Sequence, residues 1–450
     1  MGSIEAVDPS PLAEPLHFEF AGVSAPNRFL KAAMTERLCT WSATDLPARG
    51  IPTKEFINVY RRWGEGGAGL ILTGNILLEY DNLEALGNPI IPLDAPFEGR
   101  RFEAFQEAAA VTKKHGSLVI GQVNHPGRQV DERIQPHPVS ASDVKLEGDF
   151  YGMTFAKPRA ATKEDIARFV AEWTHAAEFL YKAGFDGIQI HAAHGYLLAQ
   201  FLSQTTNKRT DEYGDSLANR ARIILEIAKS IREKVPASTG FILGTKLNSV
   251  EFQEEGFSAE DCKVLCSILQ DEGQFDFVEL SGGTYQDLKF EHIKDSTRKR
   301  EAFFLDFAEQ ITPALTKTKA YVTGGFRTVR GMVNALNSVH GVGLGRPVCQ
   351  EFRLCRDILE GRSTGAVEQA LDMNDFGITN LIAGAQMRQV GNDHEPIDMT
   401  KPENVEAFQK DVVVWLQMMA EDRWNMEKYG CVEIKSVLPL PYYAGPDVKL

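Results

Sequence analysis

The chain has 450 residues, with 62 Asp and Glu against 48 Lys and Arg, a formal charge of −14. Ordinary globular usage, 43% hydrophobic and 24% charged, excludes disorder, and the acidic balance argues against a nucleic-acid partner, whose phosphates need a basic surface. Length alone allows about three domains or one enlarged α/β barrel.

The first fifteen residues lack a basic stretch followed by an apolar run, and no segment reaches the roughly 18 apolar residues of a membrane span. A soluble, cytoplasmic setting with no membrane partner is expected. Beyond them, short runs rich in Val, Ile, Leu and Phe alternate with longer stretches of helical periodicity. The runs cover 28–35, 68–77, 117–125, 185–193, 241–249, 275–283, 319–326 and 341–347. They are nearly continuously apolar, as in parallel strands covered on both faces. Helical stretches follow at 54–66, 99–114, 162–184, 219–234, 258–271, 300–312 and 348–360. The clearest places Ile166, Phe169, Val170, Trp173, Ala176, Ala177 and Leu180 at i, i+3, i+4 spacing, with Thr162 and Asp165 as a capping box and Gly184 as a stop.

Eight such alternations predict a (β/α)8 TIM barrel over residues 15–365. The competing open doubly wound sheet lacks its Gly-rich turn after the first strand. Two regions are surplus to a minimal barrel. Residues 126–162, rich in Pro, Gly, Ser and Asp, form a lid insertion after the third strand. Residues 366–450 form a C-terminal extension packed on the barrel, with an apolar-periodic helix at 405–419 and a Pro-rich end. The six cysteines are too few for a disulfide scaffold and miss the zinc spacings, so they read as buried thiols.

Barrel chemistry sits at the C-terminal ends of the strands. Those ends carry Thr35, Asn75, Gln122 and His125, His191 and His194, Lys246 and Asn248, Ser281, Gly324 and Gly325, then Gly345 and Arg346. The last two glycine-rich ends can present backbone N–H groups to a phosphate, reinforced by the Arg346 guanidinium. His191 and His194 allow a metal reading, but no first-shell carboxylate is evident nearby, so no metal is expected. Each histidine alone can be a satisfied structural residue; together at a rim they suit donation to one carbonyl oxygen, with Tyr196 as a candidate general acid. Lys246 reads either as a Schiff-base nucleophile or as a fixed positive charge beside a cofactor anion.

These residues resemble the Old Yellow Enzyme family of FMN-dependent NADH:flavin oxidoreductases. The resemblance rests on HAAHGYLLAQFLSQTTNKRTDEYGDSLANR (191–220), QVNHPGRQ (122–129), ELSGGTY (279–285), GVGLGRP (341–347) and NRFLKAAMT (27–35), in family order over about 15–365. It implies FMN as cofactor, NADPH or NADH as transient reductant, and a small enone-type substrate. Thr35, Asn75, Gln122 and Lys246 are then cofactor-binding residues at the flavin ring, and Gly324, Gly325, Gly345 and Arg346 hold its phosphate. His191 and His194 grip the substrate's carbonyl or nitro oxygen, and Tyr196 protonates the α-carbon as hydride reaches the β-carbon.

The pattern departs from the family in places. Threonine stands at 35 where one bacterial branch has a redox-tuning cysteine, and Lys246 replaces the commoner arginine. Asp215 and Ala218 alter a structural loop, and the clustered cysteines of the iron–sulfur relatives are missing. The leading reading is reduction of an activated C=C bond. The alternatives are a flavin-dependent redox-neutral isomerase or dehydrogenase in a biosynthetic pathway, a flavin-free Schiff-base aldolase on Lys246, and a non-catalytic binding barrel. A homo-oligomer is compatible with any of them.

Overall fold

Each apolar run contains a parallel strand in the computed structural model, which describes residues 7–148, 152–249, 257–281, 305–373 and 375–443. The strands are β1 Phe29–Lys31, β2 Leu70–Leu72, β3 Leu118–Asn124, β4 Gly187–Ala192, β5 Ile242–Asn248, β6 Phe277–Ser281, β7 Lys319–Thr323 and β8 Gly341–Leu344. Consecutive strands pair in parallel, and β8 returns to β1 with Gly343 opposite Leu30, which closes the barrel. The second run breaks after Leu72 and resumes as Ile76–Leu77, which pairs with the top of β3.

Helices α1 Lys54–Glu65, α2 Gly99–Lys113, α3 Lys163–Lys182, α4 Leu217–Lys234, α5 Ala259–Asp271, α6 Leu305–Ile311, α7 Val329–Ala335 and α8 Leu354–Leu359 follow the strands in turn. The capping box forms at α3: the Thr162 hydroxyl accepts from Asp165 N and the Asp165 carboxylate accepts from Thr162 N. Among its described residues the lid holds little regular structure, only Val139–Ser140 paired with Arg159–Ala160.

An antiparallel hairpin, Leu16–Phe18 with Val23–Ala25, plugs the bottom of the barrel. Its Leu16, Phe18 and Ala25 pack with inward-facing Leu30, Leu70, Ile120, Ile242, Phe277 and Tyr321. Burying a side chain of the Leu or Phe class contributes about 1.5–3 kcal/mol, so this floor is a packed core rather than a pore. One pleat repeat higher, the same inward positions become polar: Gln122 above Ile120, Glu279 above Phe277, Thr323 above Tyr321.

The extension contains α9 Phe376–Gly391 and α10 Pro402–Glu421. Helix α9 lies on α1, so close that a Cβ on Gly391 would come within 3.0 Å of Glu55 Cβ, and Asn58 Nδ2 donates to Gly391 O at 2.9 Å. Its other side packs with Phe408, Val412 and Val432 in a separate apolar cluster. Farther on, the Trp41 indole donates to Met426 O at 2.6 Å, and Arg133 of the lid to Arg423 O at 2.7 Å. The extension thus reaches both the loop after β1 and the lid. Among the described residues no helix is long and apolar enough to cross a membrane.

Candidate active site

Above the apolar floor, five strands contribute to one polar column. Gln122 Nε2 on β3 donates to Gln189 Oε1 on β4 at 2.6 Å, and Gln189 Nε2 donates to Glu279 Oε2 on β6 at 2.9 Å. The other carboxylate oxygen accepts from Thr323 Oγ1 at 2.7 Å and pairs with Lys246 Nζ at 3.1 Å. Glu279 is inaccessible to solvent and Lys246 nearly so. A charge buried this deeply is tolerated because its partner and supporting donors are in place. Lys246 is ion-paired, which supports the fixed positive charge over the free amine that a Schiff-base nucleophile requires.

His191 and His194 sit at and just past the end of β4, ring centroids 5.2 Å apart. Burial, the neighbouring His194 and the Lys246 charge hold His191 well below the usual imidazole range; burial and Lys246 do the same to His194. Both rings are therefore neutral at pH 7. Ala193 N donates to His191 Nδ1 at 3.2 Å, which puts the proton of that neutral ring on Nε2. His194 lies at a left-handed φ of +59°, fixed by donation of its backbone N–H to Asn248 Oδ1 at 3.0 Å, and its Nε2 is 3.0 Å from Ser281 Oγ. The Tyr196 ring stands edge-on to His191, 4.9 Å away at 89°.

Thr35 and Asn75 flank the column on the β1 and β2 side. The Thr35 hydroxyl donates to Glu84 Oε2 at 2.8 Å, and the buried Asn75 Oδ1 has no hydrogen-bond partner among the described residues. At the β7 and β8 ends, Gly324 and Gly325 take φ values of +128° and +88°, where side chains are strained. The space before Gly345 is open, its nearest neighbour being Met34 Sδ at 3.8 Å from an ideal Cβ. The Arg346 guanidinium donates to Thr379 on α9 and has the Phe376 ring 5.6 Å away. Burial and the nearby Arg327 charge pull its pKa down to about 10, and it forms no ion pair among the described residues.

His125 departs from the expected rim. It points away from the barrel interior, edge-on to Phe169 at 5.1 Å, with Nδ1 accepting from Gly127 N and Nε2 3.5 Å from Glu79. The strand pleat explains this, because Gln122 and Asn124 take the inward parity. Gln189 and Glu279 were not among the expected site residues, although each stands two positions before a rim residue, His191 and Ser281. Gln200 was also missed; its amide joins the lid to the β4 loop, accepting from Ser140 Oγ at 2.8 Å and donating to Gly195 O at 2.7 Å. All six cysteines are buried and unbonded. The basic run Arg298-Lys299-Arg300, which the sequence offers either as a solvated charged face or as a contact for an NADPH 2′-phosphate, and the loop 284–300, on which substrate choice would depend, lie outside the described residues.

The chain belongs to the NADH:flavin oxidoreductase / NADH oxidase family, whose model matches residues 11–356, and a closed parallel barrel with a polar mouth agrees with that class. It is 50% identical over 423 residues to the NADH-dependent flavin oxidoreductase nadA of Aspergillus parasiticus, covering 93% of this chain and 94% of that protein. Identity to the NADH-dependent flavin oxidoreductase iccE of Talaromyces variabilis is 35% over 348 residues, 72% of this chain and 81% of that one. The fold is shared with the Old Yellow Enzyme homologue of Zymomonas mobilis, with a TM-score of 0.64 at 22% identity over 82% of this chain and 96% of that one.

FMN is the cofactor of this family. The residues present fit it: an orphaned buried amide oxygen at Asn75, open backbone at Gly345, and a buried guanidinium with no carboxylate.

Proposed function

We propose that the protein reduces an activated C=C bond of an α,β-unsaturated carbonyl or nitro compound at the expense of NADH. The reading is carried by one observation: His191 is held neutral with its proton on Nε2, beside the edge-on Tyr196. A neutral N–H donor at a buried mouth polarises a substrate oxygen without bringing a formal charge of its own. His194 provides the second nitrogen of the grip. Tyr196 Oη then protonates the α-carbon of the polarised substrate. Thr35, Asn75, Gln122 and Lys246 would line the flavin ring, and Gly324, Gly325, Gly345 and Arg346 its phosphate. When bound, FMN would supply hydride transfer from NADH to the substrate's β-carbon. The choice of NADH follows the names of the two relatives above.

Anaerobic titration of the holoenzyme with NADH, then with 2-cyclohexenone, tests the reading. The yellow colour should bleach and return, and 4-deuterated NADH of the correct face should leave deuterium in the product. Bleaching that no enone or nitroalkene reverses would overturn it. Product formed without deuterium from either face would instead favour redox-neutral isomerisation.

A further inference from the structure

Arg346 is the cation at the β8 end of the mouth, yet what it touches is the extension. Its Nη1 donates to Thr379 Oγ1 on α9, and the Phe376 ring of the same helix lies 5.6 Å from its Cζ. Thr379 is buried, and its hydroxyl donates to Asp375 O at 2.7 Å. That bond uses the hydroxyl proton and leaves a lone pair directed to the guanidinium. The first turn of α9 is itself fixed, since Asp375 caps it by accepting from Ile378 N at 2.9 Å. Ahead of α9, the stretch 364–366 is tied to the loop that carries Arg327: Ala366 N donates to Arg327 O at 2.8 Å, and Val329 N to Thr364 O at 2.9 Å.

We infer that Thr379 is a positioning residue for the FMN phosphate, holding the Arg346 guanidinium at the cradle made by the β7 and β8 loops. The inference rests on the cofactor assignment above. One donor spent on Thr379 leaves Arg346 four N–H groups for phosphate oxygens. The holding residue lies on α9, beyond the family match that ends at residue 356. The extension therefore completes the cofactor site instead of merely covering the barrel.

The test compares FMN with riboflavin, which lacks the phosphate, by fluorescence-quenching titration of the full-length, flavin-stripped protein. Thr379→Val should weaken FMN about tenfold, as expected for loss of a hydrogen bond to a charged group, and leave riboflavin unchanged. Thr379→Ser should restore FMN. Phe376→Leu, which removes the ring face, should lower the FMN-to-riboflavin preference about threefold and keeps the test open if the valine variant fails to fold. Arg346→Ala separates the two readings. If it does not lower that preference, the assignment of Arg346 to the phosphate is wrong. If it does, while Thr379→Val and Phe376→Leu leave the preference intact or weaken both flavins equally, the cofactor assignment stands and the positioning role is overturned.

Discussion

The two halves of the mouth handle charge in opposite ways. Across the strand column from β3 to β7, Lys246 has Glu279, Glu279 has Gln189 and Thr323, and Gln189 has Gln122, so the barrel neutralises its own polar groups. In the loops after β7 and β8, positive-φ glycines stand beside a buried guanidinium that no carboxylate among the described residues balances and that Arg327 repels. A balanced charge orients whatever lies on it, whereas an unbalanced one marks where a ligand must bring the opposite charge. The first half is built from barrel strands alone; the second borrows Thr379 and Phe376 from the extension.

The largest effect expected is on chemistry at the balanced side. Tyr196→Phe should slow the half-reaction with 2-cyclohexenone by about 10²–10⁴-fold, the usual contribution of a positioned general acid. The half-reaction with NADH, which needs no proton from Tyr196, should slow far less. Stopped-flow absorbance of the flavin reads both. Equal losses in the two would show that Tyr196 supports the site as a whole and is not its acid.

Removing one cation from each half tests the contrast directly. Lys246→Met leaves Glu279 charged and buried without its partner, and should cost about 3–5 kcal/mol of stability in the flavin-free protein. Arg346→Met removes a guanidinium that has no carboxylate and should change that stability by no more than about 1 kcal/mol. Urea unfolding of both variants gives the comparison. Equal destabilisation would erase the distinction drawn between the two sides.

Much of the balanced half is legible in the sequence. The eight apolar runs mark all eight strands, and rim residues such as His191 and Lys246 follow from the strand ends. Gln189 and Glu279 could have been found by the same parity, since each stands one pleat repeat below a polar rim residue. His125 misled for the complementary reason: it is adjacent to the rim in sequence but of opposite parity. Helix α9 resisted reading because it is buried on two sides: Ile378, Leu381, Ile382 and Ala385 face the cluster around Phe408 while Ala383, Met387 and Val390 join the main core, so its apolar positions do not form one stripe against a polar face. With α9 unrecognised, the partner of Arg346 was out of reach, because Thr379 is 33 residues away in the chain.

A buried histidine at the other end of the barrel gives a pH test of stability. His340 immediately precedes β8 at the floor end of the strands, where burial, then Lys319 and Arg28, bring its pKa down to about 4. The unfolded chain takes up this proton near pH 6.5 and the folded one does not, so the stability present above pH 6.5 is lost as pH falls toward 4. The slope is about 1.4 kcal/mol per pH unit for one histidine. Glu172 acts in the opposite sense: burial raises its pKa to about 7, so its contribution is lost as pH rises toward that value. The wild-type slope therefore mixes signs, and the difference between wild type and His340→Asn isolates the imidazole. Melting both at pH 7 and pH 5 should show the variant gaining relative to wild type at the lower pH. A gap that does not change with pH would mean that His340 titrates normally.

The smallest effect expected concerns how the extension is attached. Arg61 Nη2 meets Asp393 Oδ1 at 2.6 Å, with side chains 24% and 47% exposed. Asp393 also lies at a left-handed φ of +58°, a conformation that asparagine adopts equally well, so Asp393→Asn removes the charge and spares the backbone. An exposed pair of this kind contributes less than about 1 kcal/mol and fades with salt. The variant should unfold within that margin of wild type at low ionic strength, match it in 0.5 M NaCl (about a 4 Å screening length), and bind FMN as tightly. The docking of α9 would then rest on buried contacts such as Gly391 against Glu55 and Asn58 with Gly391 O. A larger loss, or weakened FMN, would move that role to the surface charges and bring the extension's hold on the cofactor under control of ionic strength.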